Sequence, residues 1–207
     1  MTTMATRYLY LTRHGEAVSD ESGLSENGRQ QARLLGRRLR GRPISMIHHG
    51  PLPRAAQTAV LIQEEMDGVP LEMSLAAGDY VPYLPQQSEL PSDSVPFLAS
   101  FLDQFTKEDG EHGALLAQQA LETFSGSVAG EEERHELLVT HNYLIGWLVS
   151  HAMVAPKWRW IGLNHGNAAL TVIRYAPGRL PSLLIYNDVQ HLPPELQWTG
   201  FPPTIRV

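Results

Sequence analysis

The sequence predicts an α/β protein: a doubly wound, mostly parallel sheet with helices on both faces and an inserted helical and loop lid. Three observations predict it. Short apolar runs such as YLYLT, ISMIH and HELLVT alternate with segments of helical spacing, the pattern of strands buried on both faces of a parallel sheet. Chemistry-bearing residues stand just beyond those runs: Arg13 and His14 after the first, His49 after the second and His141 after HELLVT. Residues 76–96 are rich in Pro, Gly and Ser and have no period, and a loop beyond about 12 to 15 residues is usually a lid, a binding loop or disordered.

Residues 7–12 read as the first strand, and EAVSDESG as the loop after it. The next segment, SENGRQQARLLGRRL, reads as a helix. Ser25 is placed to cap it, and Gly28, Ala32, Leu35 and Leu39 recur at helical spacing. A break at residues 41–43 precedes the strand ISMIH, which leads into His49 and Gly50. A helix over residues 53–66 and a short strand VPLEM follow, then the 76–96 loop. SVPFLASFLDQF and GALLAQQALETFSGSV read as helices of the same excursion. HELLVT is a fourth strand, YLIGWLVSHAM a helix, and AALTVIRY and SLLIYND two closing strands. The tail after Asp188, with Pro193 and Pro194, reads as an irregular cover. One domain over 1–207 is expected, with residues 76–130 as its lid and helical insertion.

With 207 residues, 43% of them hydrophobic, and a formal charge of -6, the chain can fill one core. The acidic balance argues against a nucleic-acid partner, although a small anion needs only a local pair of arginines. The absence of cysteine removes disulfides, thiolate catalysis and cysteine metal sites. No apolar run reaches the roughly 18 residues of a membrane span, and the start lacks a small-residue cleavage pattern. A cytoplasmic protein without a membrane partner is therefore expected. A homodimer would leave no unique mark in one sequence.

In an open α/β sheet, ligands sit beyond the carboxyl ends of the strands. Arg13, His14, His49, His141 and Asn142 collect at such ends, and Arg54 lies near a helix start, where free N–H groups favour an anion. Two histidines and two arginines in one cleft suggest phosphoryl transfer. A neutral imidazole can attack phosphorus, arginines can bind the nonbridging oxygens, and a carboxylic acid must protonate the leaving alkoxide. Taken singly, each residue has a plainer reading: His14 or His141 as a loop histidine bonded to a carbonyl, Arg13 or Arg54 as half of a structural ion pair. The arginines between residues 29 and 42 read as a solvated face. His48, His112, His135, His151 and His191 show no ligand spacing, and no HExxH, P-loop or dinucleotide-binding glycine pattern is present. No metal or cofactor is expected.

Together, LTRHGEA, GLSENGRQQARLLGRRL, HHGPLPRAAQTA and LLVTHN, in that order, resemble the histidine phosphatase superfamily, founded on the cofactor-dependent phosphoglycerate mutases. The resemblance runs from about Tyr8 to Asp188. It implies a phosphohistidine mechanism in which His14 is the nucleophile, Arg13 and Arg54 clamp the phosphate, and His141 donates to the phosphoryl oxygens. The family usually has a glutamate as acid after the third strand. Here Asp79 lies three residues before Pro82, as the acid precedes a proline in members related to the mitochondrial phosphoglycerate-mutase-like serine/threonine phosphatase, which makes Asp79 the expected acid. Glu16 competes for that role or binds the loop or substrate. Where members commonly carry a serine pair the chain has His49 and Gly50, so that His49 is expected to replace the hydroxyl donor and Gly50 to widen or reshape the pocket.

The expected activity is metal-independent hydrolysis of a phosphomonoester, either a small phosphorylated metabolite or a phosphopeptide. A phosphoglycerate-type mutase and a non-catalytic phosphate-binding or scaffold protein are the rivals. Tyr80, Tyr83 and Leu84 either line an apolar entrance or pack the lid against Phe97 and Phe101. Trp158 and Trp160 cover either a ligand or a core edge, and His165 is expected to orient the site without touching phosphate.

Overall fold

The computed structural model describes residues 3–202 and 204. Its centre is a six-stranded sheet built from β2 (Arg7–Arg13), β3 (Ile44–His49), β4 (Leu71–Met73), β6 (Arg134–Thr140), β7 (Leu170–Tyr175) and β8 (Ser182–Asp188), in the order β4-β3-β6-β2-β7-β8. The four strands on the β4 side run parallel, whereas β7 runs antiparallel to β2 and β8 antiparallel to β7. A separate pair, β1 (Met4–Ala5) with β5 (Val128–Ala129), fastens the start of the chain to the segment before β6.

Alternation along the central strands divides the interior into two cores. Leu9 and Leu11 of β2 and Leu138 of β6 point to one face, where Ala117, Ala120 and Phe124 of α4 (Lys107–Phe124) and Leu144 and Leu148 of α5 (Asn142–Ala152) cover them. Tyr10, Leu137 and Val139 point to the other, under Ala32 and Leu35 of α1 (Glu26–Leu39) and Ala55, Ala59 and Ile62 of α2 (Pro53–Glu64). Burial on both faces explains why these strands read as continuous apolar runs. It also makes the sheet doubly wound, as the sequence predicts. Among the described residues, no helix is long and apolar enough to cross a membrane.

Several boundaries differ from the sequence reading for local reasons. The helix expected from Gly113 starts six residues earlier, because the Thr106 hydroxyl accepts from the Asp109 N–H while the Asp109 carboxylate accepts from the Thr106 N–H, a reciprocal cap. It stops at Phe124, so SGSV is not helical. Residues 76–96 are no open loop. They hold short 3-10 turns at Leu75–Ala77, Gln87–Glu89 and Ser92–Ser94 that lead into α3 (Val95–Leu102).

α1 approaches the sheet closely because two glycines meet. A Cβ on Gly28 would lie 2.0 Å from the Glu16 carbonyl oxygen, and one on Gly15 would lie 2.4 Å from that of Gly28. Both obstacles are backbone, so no rotamer change relieves them. Gly28→Ala is expected to cost about 3 kcal/mol through overpacking, measured as a lower denaturant midpoint; an unchanged midpoint would show that α1 can shift freely.

Candidate active site

The carboxyl ends of β2, β3 and β6 lie on one edge of the sheet, since the three strands are mutually parallel. There the chain opens a cleft of about 660 Å³ lined by Arg13, His14, Arg54, Asp79 and His141 among others. His14 follows β2, and its N–H donates to the Thr140 carbonyl at the end of β6 (2.9 Å). The residue is 6% exposed. Nδ1 is 2.7 Å from the Gly15 carbonyl oxygen, which can only accept, so Nδ1 carries the proton. Nε2 in turn lies 3.2 Å from the Arg54 Nε–H, which can only donate. These two contacts fix one tautomer, with the lone pair on Nε2. Burial, followed by the neighbouring His141 and Arg13, holds the imidazole well below its ordinary value, hence neutral.

Arg54 stands at the second position of α2, after Pro53. Besides His14 it reaches Asp79, with Nη2 to Oδ2 at 2.7 Å, and Glu21, with Nη1 to Oε2 at 3.3 Å. One guanidinium thus touches both the imidazole and the carboxyl group. The turn at Leu75–Ala77 brings Asp79 in, anchored by the Thr140 hydroxyl donating to the Ala77 carbonyl (2.7 Å). Burial pushes the Asp79 carboxyl above its ordinary value, and the Arg54 charge opposes that shift without cancelling it. A carboxyl held above its ordinary value is better able to carry a proton.

His141 caps α5 and is 1% exposed. Its ring centre is 5.0 Å from that of His14, and Nδ1 is 3.4 Å from Asp79 Oδ2. Among the described residues, neither ring nitrogen has a hydrogen-bond partner, nor does Nε of Arg13. Buried polar groups normally are paired, and here they sit around one cleft with the amino end of α5, whose dipole favours an anion. Arg13 donates from Nη1 to the His165 carbonyl (3.1 Å) and stacks 5.0 Å from the Phe201 ring centre.

The other sequence candidates fare differently. Glu16 lines the cleft, and its carboxylate accepts from the Ser25 hydroxyl (2.7 Å), tying the loop to the α1 cap. Asn142 lines it too, with Oδ1 accepting from the His165 N–H (2.8 Å). His49 is not among the lining residues, so the cleft does not support its expected donor role; its Nδ1 lies 2.9 Å from the Gly50 carbonyl oxygen. Gly50 does not widen the pocket either: a Cβ there would lie 2.4 Å from the Ala77 carbonyl oxygen and 3.3 Å from His141 Nε2. Its missing side chain lets the Asp79 turn approach. Tyr80, Tyr83 and Leu84 pack against the α4–α5 core instead of lining the cleft. Trp160 does both, for it is 2% exposed, donates to the Tyr83 carbonyl (2.9 Å) and reaches the cleft wall.

Sequence reasoning missed a support network. The Asn167 amide donates to the His14 carbonyl (2.8 Å), the Thr199 hydroxyl to Asn167 Oδ1 (3.1 Å), and the Gln31 amide to Thr199 (2.7 Å). The Gly15 N–H donates to Thr58, whose hydroxyl donates to the Arg54 carbonyl. These partners come from α1, α2, the turn before β7 and the tail, so no spacing announces them.

The buried histidines make stability pH-dependent. His141 and His165 are pushed down by burial from 6.5 to about 3, so each is neutral when folded and protonates near 6.5 when unfolded. Their contribution is whole above that pH and is lost as the pH falls toward 3. Asp79, shifted the other way, acts oppositely but alone among these groups. Thermal midpoints are expected to fall steadily below about pH 6.5; midpoints flat down to about pH 4 would contradict this burial account.

Residues 9–189 match the family model described as the histidine phosphatase superfamily (branch 1). The chain is 26% identical over 196 residues to the mitochondrial serine/threonine-protein phosphatase Pgam5 of Caenorhabditis elegans, an alignment covering 92% of this chain and 66% of that protein. It thus spans just under two thirds of that relative's length. Among solved structures, mycobacterial hydrolase 2 superposes with a TM-score of 0.65 at 24% identity, covering 93% of this chain and 95% of the other. The phosphoglycerate mutase of Plasmodium falciparum superposes with a TM-score of 0.61 at 19% identity, covering 91% and 95%. These two likenesses bear on the fold alone.

Proposed function

The chain belongs to the histidine phosphatase superfamily, whose members hydrolyse phosphomonoesters of small substrates or move their phosphoryl groups, and from that premise we propose that it is a phosphatase working through a phosphohistidine intermediate. The observation that carries this reading is the tautomer of His14, neutral and with its Nε2 lone pair directed toward Arg54. In the first step Nε2 attacks phosphorus, forming the N–P bond as the P–O bond to the leaving alcohol breaks. Protonated Asp79 gives its proton to that oxygen. Arg13, Arg54 and His141 hold the nonbridging oxygens and oppose the spreading charge. In the second step carboxylate Asp79 takes a proton from water as the water oxygen attacks, and the N–P bond breaks to release phosphate and free His14.

Hydrolysis is favoured over mutase chemistry by the cleft's charges. Among the described residues, Arg13 and Arg54 are the only lysines or arginines that line the cleft, and both are used on the phosphoryl group. A mutase acting on a sugar acid needs a further cation for the carboxylate. A purely binding role does not explain why a nucleophile and an acid are both held on one arginine. Release of phosphate from small phosphomonoesters without added metal, and without interconversion of 2- and 3-phosphoglycerate, is expected. Rapid interconversion would replace the reading with the mutase, and absence of both activities with the binding protein.

A further inference from the structure

The cleft extends well past the phosphoryl site. Its volume of about 660 Å³ falls in the range that holds a whole small ligand. One wall is aromatic. Phe101, Tyr143 and Trp160 pack edge to face or tilted, with ring centres 6.1 Å (Phe101–Tyr143), 6.1 Å (Phe101–Trp160) and 4.9 Å (Tyr143–Trp160) apart, and Ile161 and Phe201 also line the space. Phe97 lies one turn before Phe101 on α3, on the same helix face. It lines the cleft, joins neither core and is 74% exposed, whereas apolar side chains of that size are normally buried. Among the described residues, the charged groups lining the space beyond the arginines are acidic: Glu16, Glu21 and Asp79.

We propose that this wall is a leaving-group subsite that selects small phosphomonoesters whose alcohol or phenol carries an aromatic body and no second anionic group, with Phe97 as its specificity-determining residue. The inference rests on the phosphatase reading and adds to it the chemical class of the substrate. Aromatic faces gain area against a ring, while a carboxylate or second phosphate would meet Glu16 and Glu21 and, among the described residues, no cation beyond the two arginines already on the phosphoryl group.

The test compares 2-phenylethyl phosphate, ethyl phosphate, 3-phosphoglycerate and a phosphoseryl peptide on the full chain. All are esters of alkyl alcohols, so leaving-group chemistry is similar and recognition dominates. The expected kcat/KM for 2-phenylethyl phosphate exceeds that for ethyl phosphate by about tenfold or more, and 3-phosphoglycerate falls below both. Phe97→Ala is expected to shrink the phenylethyl-to-ethyl ratio severalfold, mainly through KM, and Phe97→Trp to restore it. Equal rates for the two alkyl esters, a preference for 3-phosphoglycerate or the peptide, or a ratio indifferent to Phe97 would overturn the subsite while leaving the phosphatase standing. If no ester gives His14-dependent phosphate release, the phosphatase reading fails, and the subsite with it.

Discussion

Replacing His14 with alanine is expected to lower phosphate release by about 10⁴-fold or more, because the group that forms the covalent intermediate is gone and what remains can only bind. The loss should fall on kcat and not on substrate affinity, since Arg13, Arg54 and His141 all remain. The fold should survive: the contact that docks this loop to β6 is made by the His14 N–H, not by its ring. An unchanged circular dichroism spectrum beside lost turnover would separate chemistry from collapse. Added imidazole is expected to recover part of the activity by filling the space that the ring leaves. Turnover within about tenfold of the parent would remove His14 from the mechanism.

The second large effect concerns Asp79, and its size should depend on the leaving group. With an alkyl phosphate, whose departing oxygen needs a proton, Asp79→Asn is expected to cost about 10²- to 10⁴-fold in kcat/KM. With p-nitrophenyl phosphate the first step needs no acid, but water activation still does. The variant should then release a burst of p-nitrophenol close to one equivalent per enzyme and continue slowly. The pH profile carries the same assignment. His14 is already neutral well below its ordinary value, so the acid limb should lie below the usual imidazole range. Asp79 must be protonated for the first step, so activity on alkyl esters should fall as the pH rises through its raised value. That falling limb should vanish in Asp79→Asn; its persistence would assign the proton to another group, such as Glu16 or Glu21, which also line the cleft.

The parts of this account that were legible in the sequence share a physical origin. β2 and β6 are buried on both faces, so they read as apolar runs, and the residues just past the ends of β2, β3 and β6 are the ones that can face a ligand. His14, Arg13 and His141 were found in that way and Arg54 from its place near a helix start, and the structure brings all four to one cleft. What failed depended on contacts between distant segments. His49 and Gly50 are neighbours in the chain, but it is Gly50 that packs against the Ala77 carbonyl beside His141, a contact that spacing does not announce. The bond from Asn167 to the His14 carbonyl spans 153 positions, and that from Gln31 to Thr199 spans 168. The aromatic wall depends on how α3 packs beside Tyr143 and Trp160, and Phe97 and Phe101 gave no sign of it beyond helical spacing. One local signal was present and unread: Thr106 and Asp109 form a capping pattern that marks the start of α4.

The central claim is a covalent bond between phosphorus and Nε2 of His14, and the most direct test is to trap it. Wild type and His14→Ala would be mixed with a phosphomonoester carrying labelled phosphorus, quenched in alkali within milliseconds, digested and sequenced. The account predicts label on the peptide that contains His14, stable to alkali and lost in acid, accumulating further in Asp79→Asn and absent from His14→Ala. Phosphate release with no labelled peptide, or with the label on an acid-stable serine or threonine ester, would contradict it.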